Sequence, residues 1–221
     1  MKKIDAVVFD LDGVITDTAY FHFLAWKRLA DELEIPFDEA FNETLKGISR
    51  MDSLNLILEN GNKKSEYSLS EKEELADRKN SHYQELLKEL TPNDILPGIK
   101  ELIADIKSDG LPIGLASVSK NAQTVLAALN LESAFDYVVD AATVKNSKPH
   151  PEIFLTACEK LGVLPERSIG IEDALAGVKA IKASNMFAVG VGEILQNADY
   201  RVDATDELQW SKIKQKYENH Q

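Results

Sequence analysis

The chain has 221 residues, 44% hydrophobic and 28% charged, which is enough apolar material for a sizeable core and excludes wholesale disorder. Its 25 Lys+Arg against 37 Asp+Glu leave a formal net charge of −12, a field that repels phosphate backbones and excludes a general nucleic-acid binder. The single cysteine, Cys158, excludes an intrachain disulfide and a multi-cysteine zinc site.

Residues 4–9 (Ile4-Asp5-Ala6-Val7-Val8-Phe9) read as a short strand buried on both faces, the kind found in parallel sheets. Asp10 breaks this run too early for a signal peptide, and no stretch approaches the ~20 apolar residues of a membrane helix. A soluble cytoplasmic protein is the expectation, and nothing in the sequence demands more than a monomer. From about residue 17 to residue 88 the texture is purely helical. Phe21, Leu24, Ala25, Leu29 and Leu33 form one stripe, and Leu54, Ile57 and Leu58 form another. A charged amphipathic helix is expected over Ser70–Leu90, opened by a capping box at Ser70-Glu71-Lys72-Glu73. Thr91-Pro92-Asn93 to Pro97-Gly98 reads as a return linker.

Beyond it, strands alternate with helices. Apolar runs at Pro112–Ala116, Phe135–Val139, Ser168–Ile171 and Met186–Val191 read as strands. Helical faces recur at Ile99, Leu102, Ile103 and Ile106, at Val125, Leu126 and Leu129, and at Ile153, Phe154, Ala157 and Leu161. This alternation predicts an α/β fold with a doubly wound parallel sheet, interrupted after its first strand by an all-helical insertion. The expected division is a core of residues 1–16 and 89–221 and an inserted cap of residues 17–88.

The strong polar signals follow strands, at the sheet edge where open α/β folds bind ligands. In Asp10-Leu11-Asp12-Gly13 the two carboxylates point the same way and Leu11 points to the core. Such a pair repels by about 4 kcal/mol at an effective dielectric of 20, unless a cation or shared proton relieves it or the strand end is simply solvated. Glu172-Asp173 follows Ser168-Ile169-Gly170-Ile171, where one acid could serve as a helix cap. Four acids on one rim, with no His or Cys nearby, select Mg²⁺ over zinc. Ser117, Val118, Ser119, Lys120 and Asn121 open a helix after a strand, a setting suited to an anion. Lys148, held extended by Pro149, adds a point charge. Carboxylate, second acid, hydroxyl, lysine and metal together make a phosphoryl-transfer site.

Four motifs, Phe9-Asp10-Leu11-Asp12-Gly13-Val14, Leu115-Ala116-Ser117, Lys148-Pro149 and Gly170-Ile171-Glu172-Asp173, occur in this order and span most of the chain. With them the sequence resembles the haloacid dehalogenase superfamily, and residues 17–88 resemble the helical cap of its first subclass. Leu45-Lys46-Gly47-Ile48-Ser49-Arg50 with Ser53, together with Thr18, His22 and Trp26, is similar to the cap of the mutases in that superfamily that act on β-glucose phosphates. Arg78-Lys79-Asn80 also matches, whereas Asp77 stands in place of an expected lysine and Val118 in place of an alanine.

The resemblance implies interconversion of β-D-glucose 1-phosphate and D-glucose 6-phosphate through β-glucose 1,6-bisphosphate, with Mg²⁺ as cofactor and sugar phosphates as partners. It implies Asp10 as nucleophile and Asp12 as general acid/base, the latter offering its backbone carbonyl to the metal with Asp10, Glu172 and Asp173. Ser117 and Lys148 would hold the transferring phosphoryl group, and Arg50 the distal phosphate. Thr18, His22, Trp26, Lys46, Gly47, Ser53, Val118, Ser119, Lys120 and Asn121 complete the implied binding site. A cap-bearing sugar-phosphate phosphatase uses the same core and is the main alternative. A non-catalytic sugar-phosphate sensor would not need the nucleophile.

Overall fold

Residues 3–193 and 195–220 are described in the structure, a computed structural model. The chain opens with strand β1 (Ala6–Phe9) and passes through helices α1 (Ala19–Glu32), α2 (Glu39–Glu43), α3 (Arg50–Asn60) and α4 (Leu69–Leu86). It continues as α5 (Ile99–Ser108), β2 (Ile113–Leu115), α6 (Ala122–Ala128), β3 (Tyr137–Val138) and α7 (Glu152–Leu161). It ends with β4 (Ser168–Glu172), α8 (Leu175–Ala183), β5 (Phe187–Val191), β6 (Tyr200–Val202) and α9 (Trp210–Glu218). The strands form one six-stranded sheet in the order β3-β2-β1-β4-β5-β6, every pairing parallel. The expected doubly wound sheet with a helical insertion is therefore the observed fold.

Alternation along β1 divides the core. Val7 and Phe9 face a layer containing Ile99, Leu102, Val125, Leu126 and Ile213, while Val8 faces Ile153, Phe154, Val178 and Ile181. A third cluster (Trp26, Leu29, Leu54, Ile57, Leu58, Leu75) holds the four inserted helices together. The two connections between the helical layer and the sheet are tied side by side. Leu96 N donates to Ile15 O at 2.9 Å, and Thr16 Oγ1 donates to Asp94 O at 2.7 Å. Among the described residues no helix is long and apolar enough to cross a membrane.

Two local expectations need correction, and one strand was not foreseen. The run Phe135–Val139 yields only the two-residue β3, because its single partner is β2. β6 carries no apolar run; it pairs Val189, Gly190 and Val191 of β5 with Tyr200, Arg201 and Val202 at the sheet edge. The capping box of α4 is at Ser68, not Ser70: Ser68 Oγ accepts from Glu71 N, and the Glu71 carboxylate accepts from Ser68 N at 2.7 Å. Both spacings fit a serine-to-glutamate box, and the start of the buried stripe Leu75, Ala76, Lys79, Tyr83 decides between them.

Ser68→Ala should lower stability by about 1 kcal/mol, the usual cost of a lost N-cap, whereas Ser70→Ala inside the first turn should change it by less than about 0.5 kcal/mol. Urea unfolding of both variants checks the assignment, and equal losses would contradict it.

Candidate active site

Sheet register gathers the acids. Phe9 pairs with Leu115 on one side and Ile171 on the other, so Asp10, Ala116 and Glu172 emerge next to one another at the carboxyl edge. Asp10 N donates to Ile171 O at 2.9 Å and Ala116 N to Phe9 O at 2.8 Å, carrying the ladder one residue past each strand. β1 lies where the chain order diverges to either side, the switch point at which doubly wound sheets form their crevice.

Lys148 is wholly buried behind this edge. Its Nζ donates to Asp10 Oδ1 at 2.6 Å and to Glu172 Oε2 at 2.7 Å. Glu172 Oε1 accepts from Ala174 N at 3.1 Å. Two glycines make the space these acids occupy. A Cβ on Gly177 would lie 1.9 Å from Glu172 Oε2, and one on Gly13, which has φ +75°, would lie 2.1 Å from Asp173 Oδ2.

Asp10, Glu172 and Asp173 each place a carboxylate oxygen within 4.8 Å of the others. Three carboxylates against one ammonium leave two negative charges uncompensated. Burial, then the charge of Asp10, pushes the pKa of Glu172 up, and burial, then the charges of Glu172 and Asp10, does the same for Asp173. A divalent cation removes that penalty, and a cluster of hard oxygens is the donor set such a cation takes, so the residues present fit a metal. Asp12 is not in the cluster through its side chain. Burial and the charge of Asp10 push its carboxyl up to about 7, and its Oδ1 has no hydrogen-bond partner.

The opposite wall of the cleft comes from the inserted helices. Arg50 stands at the start of α3, where Ser49 is the N-cap. Its Nη2 donates to Asn80 Oδ1 at 2.8 Å, and its Nη1 lies 3.7 Å from Asp77 Oδ1. Asn121 Nδ2, from the sheet domain, donates to the same Asn80 oxygen at 2.8 Å. Lys46 Nζ rests 3.0 Å from Glu43; despite desolvation, that bond and the charge of Asp173 raise its pKa.

His22 stacks on Tyr83 at 4.0 Å, and burial, then the charges of Lys79 and Arg50, hold its pKa well below the usual value. Lys79 Nζ lies 2.6 Å from His22 Nδ1. As an ammonium Lys79 can only donate, which puts the ring proton on Nε2, the nitrogen 4.0 Å from Asp12 Oδ2.

The resulting cleft encloses about 800 Å³ including its open mouth. Asp10, Asp12, His22, Trp26, Lys46, Gly47, Arg50, Ser53, Ser117, Val118, Ser119, Lys120, Asn121 and Asp173 all line it. Of the other expected residues, Lys148 and Glu172 lie behind the carboxylate edge, and Thr18 is buried one turn before His22, whose N–H its carbonyl accepts at 3.0 Å. Lys79 also lines the cleft, although the sequence reading gave it no role. The available signal was a lysine inside the otherwise apolar stripe of α4. Burial lowers its pKa, and its ammonium lies 4.7 Å from the Trp26 ring and 4.8 Å from the Tyr83 ring.

Residues 4–185 match the family model of haloacid dehalogenase-like hydrolases. A β-phosphoglucomutase of Bacillus subtilis is 48% identical over 217 residues, covering 97% of this chain and 96% of that one. A phosphorylated carbohydrates phosphatase of Thermotoga maritima is 32% identical over 185 residues, covering 83% and 82%. The crystal structure of a β-phosphoglucomutase from Clostridium difficile superposes with a TM-score of 0.97 at 53% identity, covering 98% of both chains. Match and site agree: the chain belongs to the haloacid dehalogenase-like hydrolase family, on its β-phosphoglucomutase branch.

Proposed function

We propose that this protein is a β-phosphoglucomutase, interconverting β-D-glucose 1-phosphate and D-glucose 6-phosphate through β-glucose 1,6-bisphosphate. The observation that carries the reading is a cleft with anion-binding groups on both walls: Ser117 beside Asp10, backed by the buried Lys148, and Arg50 opposite. A hydrolase needs only the first, whereas a mutase must hold a bisphosphate in either orientation. The 48% identity to a β-phosphoglucomutase supports it.

Asp10 is the nucleophile. With Oδ1 bonded to Lys148, Oδ2 is the oxygen free to attack phosphorus and form an aspartyl phosphate. Asp12 is the general acid/base. A carboxyl near neutral pKa can take the proton of the sugar hydroxyl as it attacks the aspartyl phosphate, then return it to the leaving oxygen in the reverse sense. Neutral His22, anchored by Lys79, presents Nε2–H toward Asp12 and orients it. Mg²⁺ is the cation we assign to Asp10, Glu172, Asp173 and the Asp12 carbonyl; when bound it neutralises charge on the transferring phosphoryl oxygens. Thr18, Trp26, Gly47, Ser53, Val118, Ser119, Lys120 and Asn121 shape the sugar and phosphate subsites. One chain lines the whole cleft, so a monomer suffices.

Asp10→Asn should lower turnover more than 100-fold (an order-of-magnitude expectation) and abolish the hydroxylamine-sensitive phosphoenzyme formed from acetyl phosphate, because an amide is a poor nucleophile. A variant that still labels would contradict the covalent mechanism. EDTA should stop turnover and Mg²⁺ restore it, and Asp173→Asn should weaken Mg²⁺ binding by about tenfold or more, measured by titration calorimetry. Arg50→Ala should still be phosphorylated by acetyl phosphate at nearly the normal rate. Its conversion of β-glucose 1-phosphate should fall roughly 30- to 1,000-fold through loss of a partly desolvated charge-assisted clamp. No fall would return the phosphatase reading to first place.

A further inference from the structure

Arg50 lines one wall of the cleft and Lys148 backs the acidic edge opposite, and a hydrogen bond outside the cleft joins the segments that carry them. Ser147, immediately before Lys148, donates through Oγ to Asp52 Oδ2 across 2.8 Å. Asp52 lies two residues beyond Arg50 in the first turn of α3. The same Oδ2 accepts from Ser49 Oγ at 2.6 Å, and Asp52 N donates to that hydroxyl at 3.2 Å. On the other side the Glu152 carboxylate accepts from Lys145 N at 2.8 Å and from Asn146 N at 3.0 Å, stiffening the loop that ends in Ser147. Both ends of the bond are therefore mounted on braced backbone. Neither residue lines the cleft; both line an open groove on its outer side.

We propose that the Ser147–Asp52 hydrogen bond is a clasp that sets the spacing between Lys148 and Arg50, making Ser147 a positioning residue for transfer to sugar rather than to water. The proposal rests on the mutase reading. The acceptor is a carboxylate, so the bond is charge-assisted, yet both partners are partly in solvent, which leaves it weak enough to break whenever sugar enters or leaves. While it is made, the start of α3 and the loop before Lys148 are tied, which fixes the position of Arg50 relative to the acidic edge. When it is broken the cleft admits water to the aspartyl phosphate. The water oxygen then forms the new bond to phosphorus, the bond from phosphorus to Asp10 breaks, and the proton passes to Asp12, releasing inorganic phosphate.

The test compares the wild type with Ser147→Ala, Ser147→Thr, Asp52→Ala and the Ser147→Ala/Asp52→Ala double variant. Glucose 6-phosphate and free phosphate are both measured from β-glucose 1-phosphate with Mg²⁺ and a trace of the bisphosphate. Ser147→Ala should raise KM about three- to tenfold and raise phosphate released per glucose 6-phosphate by a similar factor. Ser147→Thr, which keeps the hydroxyl, should stay within about twofold of wild type. In the Asp52→Ala background, removing the Ser147 hydroxyl should add no further effect. Unchanged KM and partition in Ser147→Ala, or additive effects in the double variant, would overturn the clasp. A wild type that releases phosphate and forms no glucose 6-phosphate would instead sink the mutase reading; non-additivity of KM in that hydrolysis would still decide the clasp.

Discussion

The site depends on one buried ammonium. Lys148 joins Asp10 to Glu172, two carboxylates that β1 and β4 deliver side by side and that would otherwise repel at close range in a poorly solvated edge. An opposite charge at about 4 Å contributes ~4 kcal/mol at an effective dielectric of 20, and buried pairs of this kind hold only when their remaining atoms are also satisfied. Ala174 N on Glu172 Oε1 and the space left by Gly177 meet that condition. Because the lysine balances only one charge, the edge keeps a negative excess that suits a cation.

The helical wall is the electrostatic complement of that edge. It brings Lys46, Arg50 and Lys79 to face the acids, on a molecule whose formal net charge is −12. A sugar phosphate entering the cleft thus meets a local positive surface within a repulsive surround, which favours compact anions over polyanionic chains. Crowding of cations has its own consequence. Burial, then the charges of Lys79 and Arg50, lowers the pKa of His22, which favours an uncharged ring over an ion. Asp77, which stands where a lysine was expected, lies against Arg50 and tempers the same crowding.

Much of this was readable in the residues themselves. Asp10, Asp12, Glu172 and Asp173 follow apolar runs, and strand ends define the ligand edge of a parallel sheet, so local pattern was enough to find them. Lys148 was recognisable as a charge, but its burial was not, since a lone lysine before a proline is ordinarily solvated. Lys79 was matched only within Arg78-Lys79-Asn80 and given no role, and its packing against Trp26 and Tyr83 shows that it turns inward. Ser68 and Ser70 offered the same capping signature, and β6 offered no apolar run at all.

What the sequence by itself determined is whatever depends on short-range pattern: strand and helix periodicity, the helical interruption after β1, and which residue types stand at each strand end. Those features follow from backbone sterics and from the spacing at which side chains share a face. Only the tertiary structure decided the pairs distant in sequence, Lys148 with Asp10, Asn121 with Asn80, and Ser147 with Asp52, along with the burial that lowers the pKa of His22. Those depend on how two separately packed layers meet, and the energies of burial and charge that fix them arise only when the chain has closed on itself.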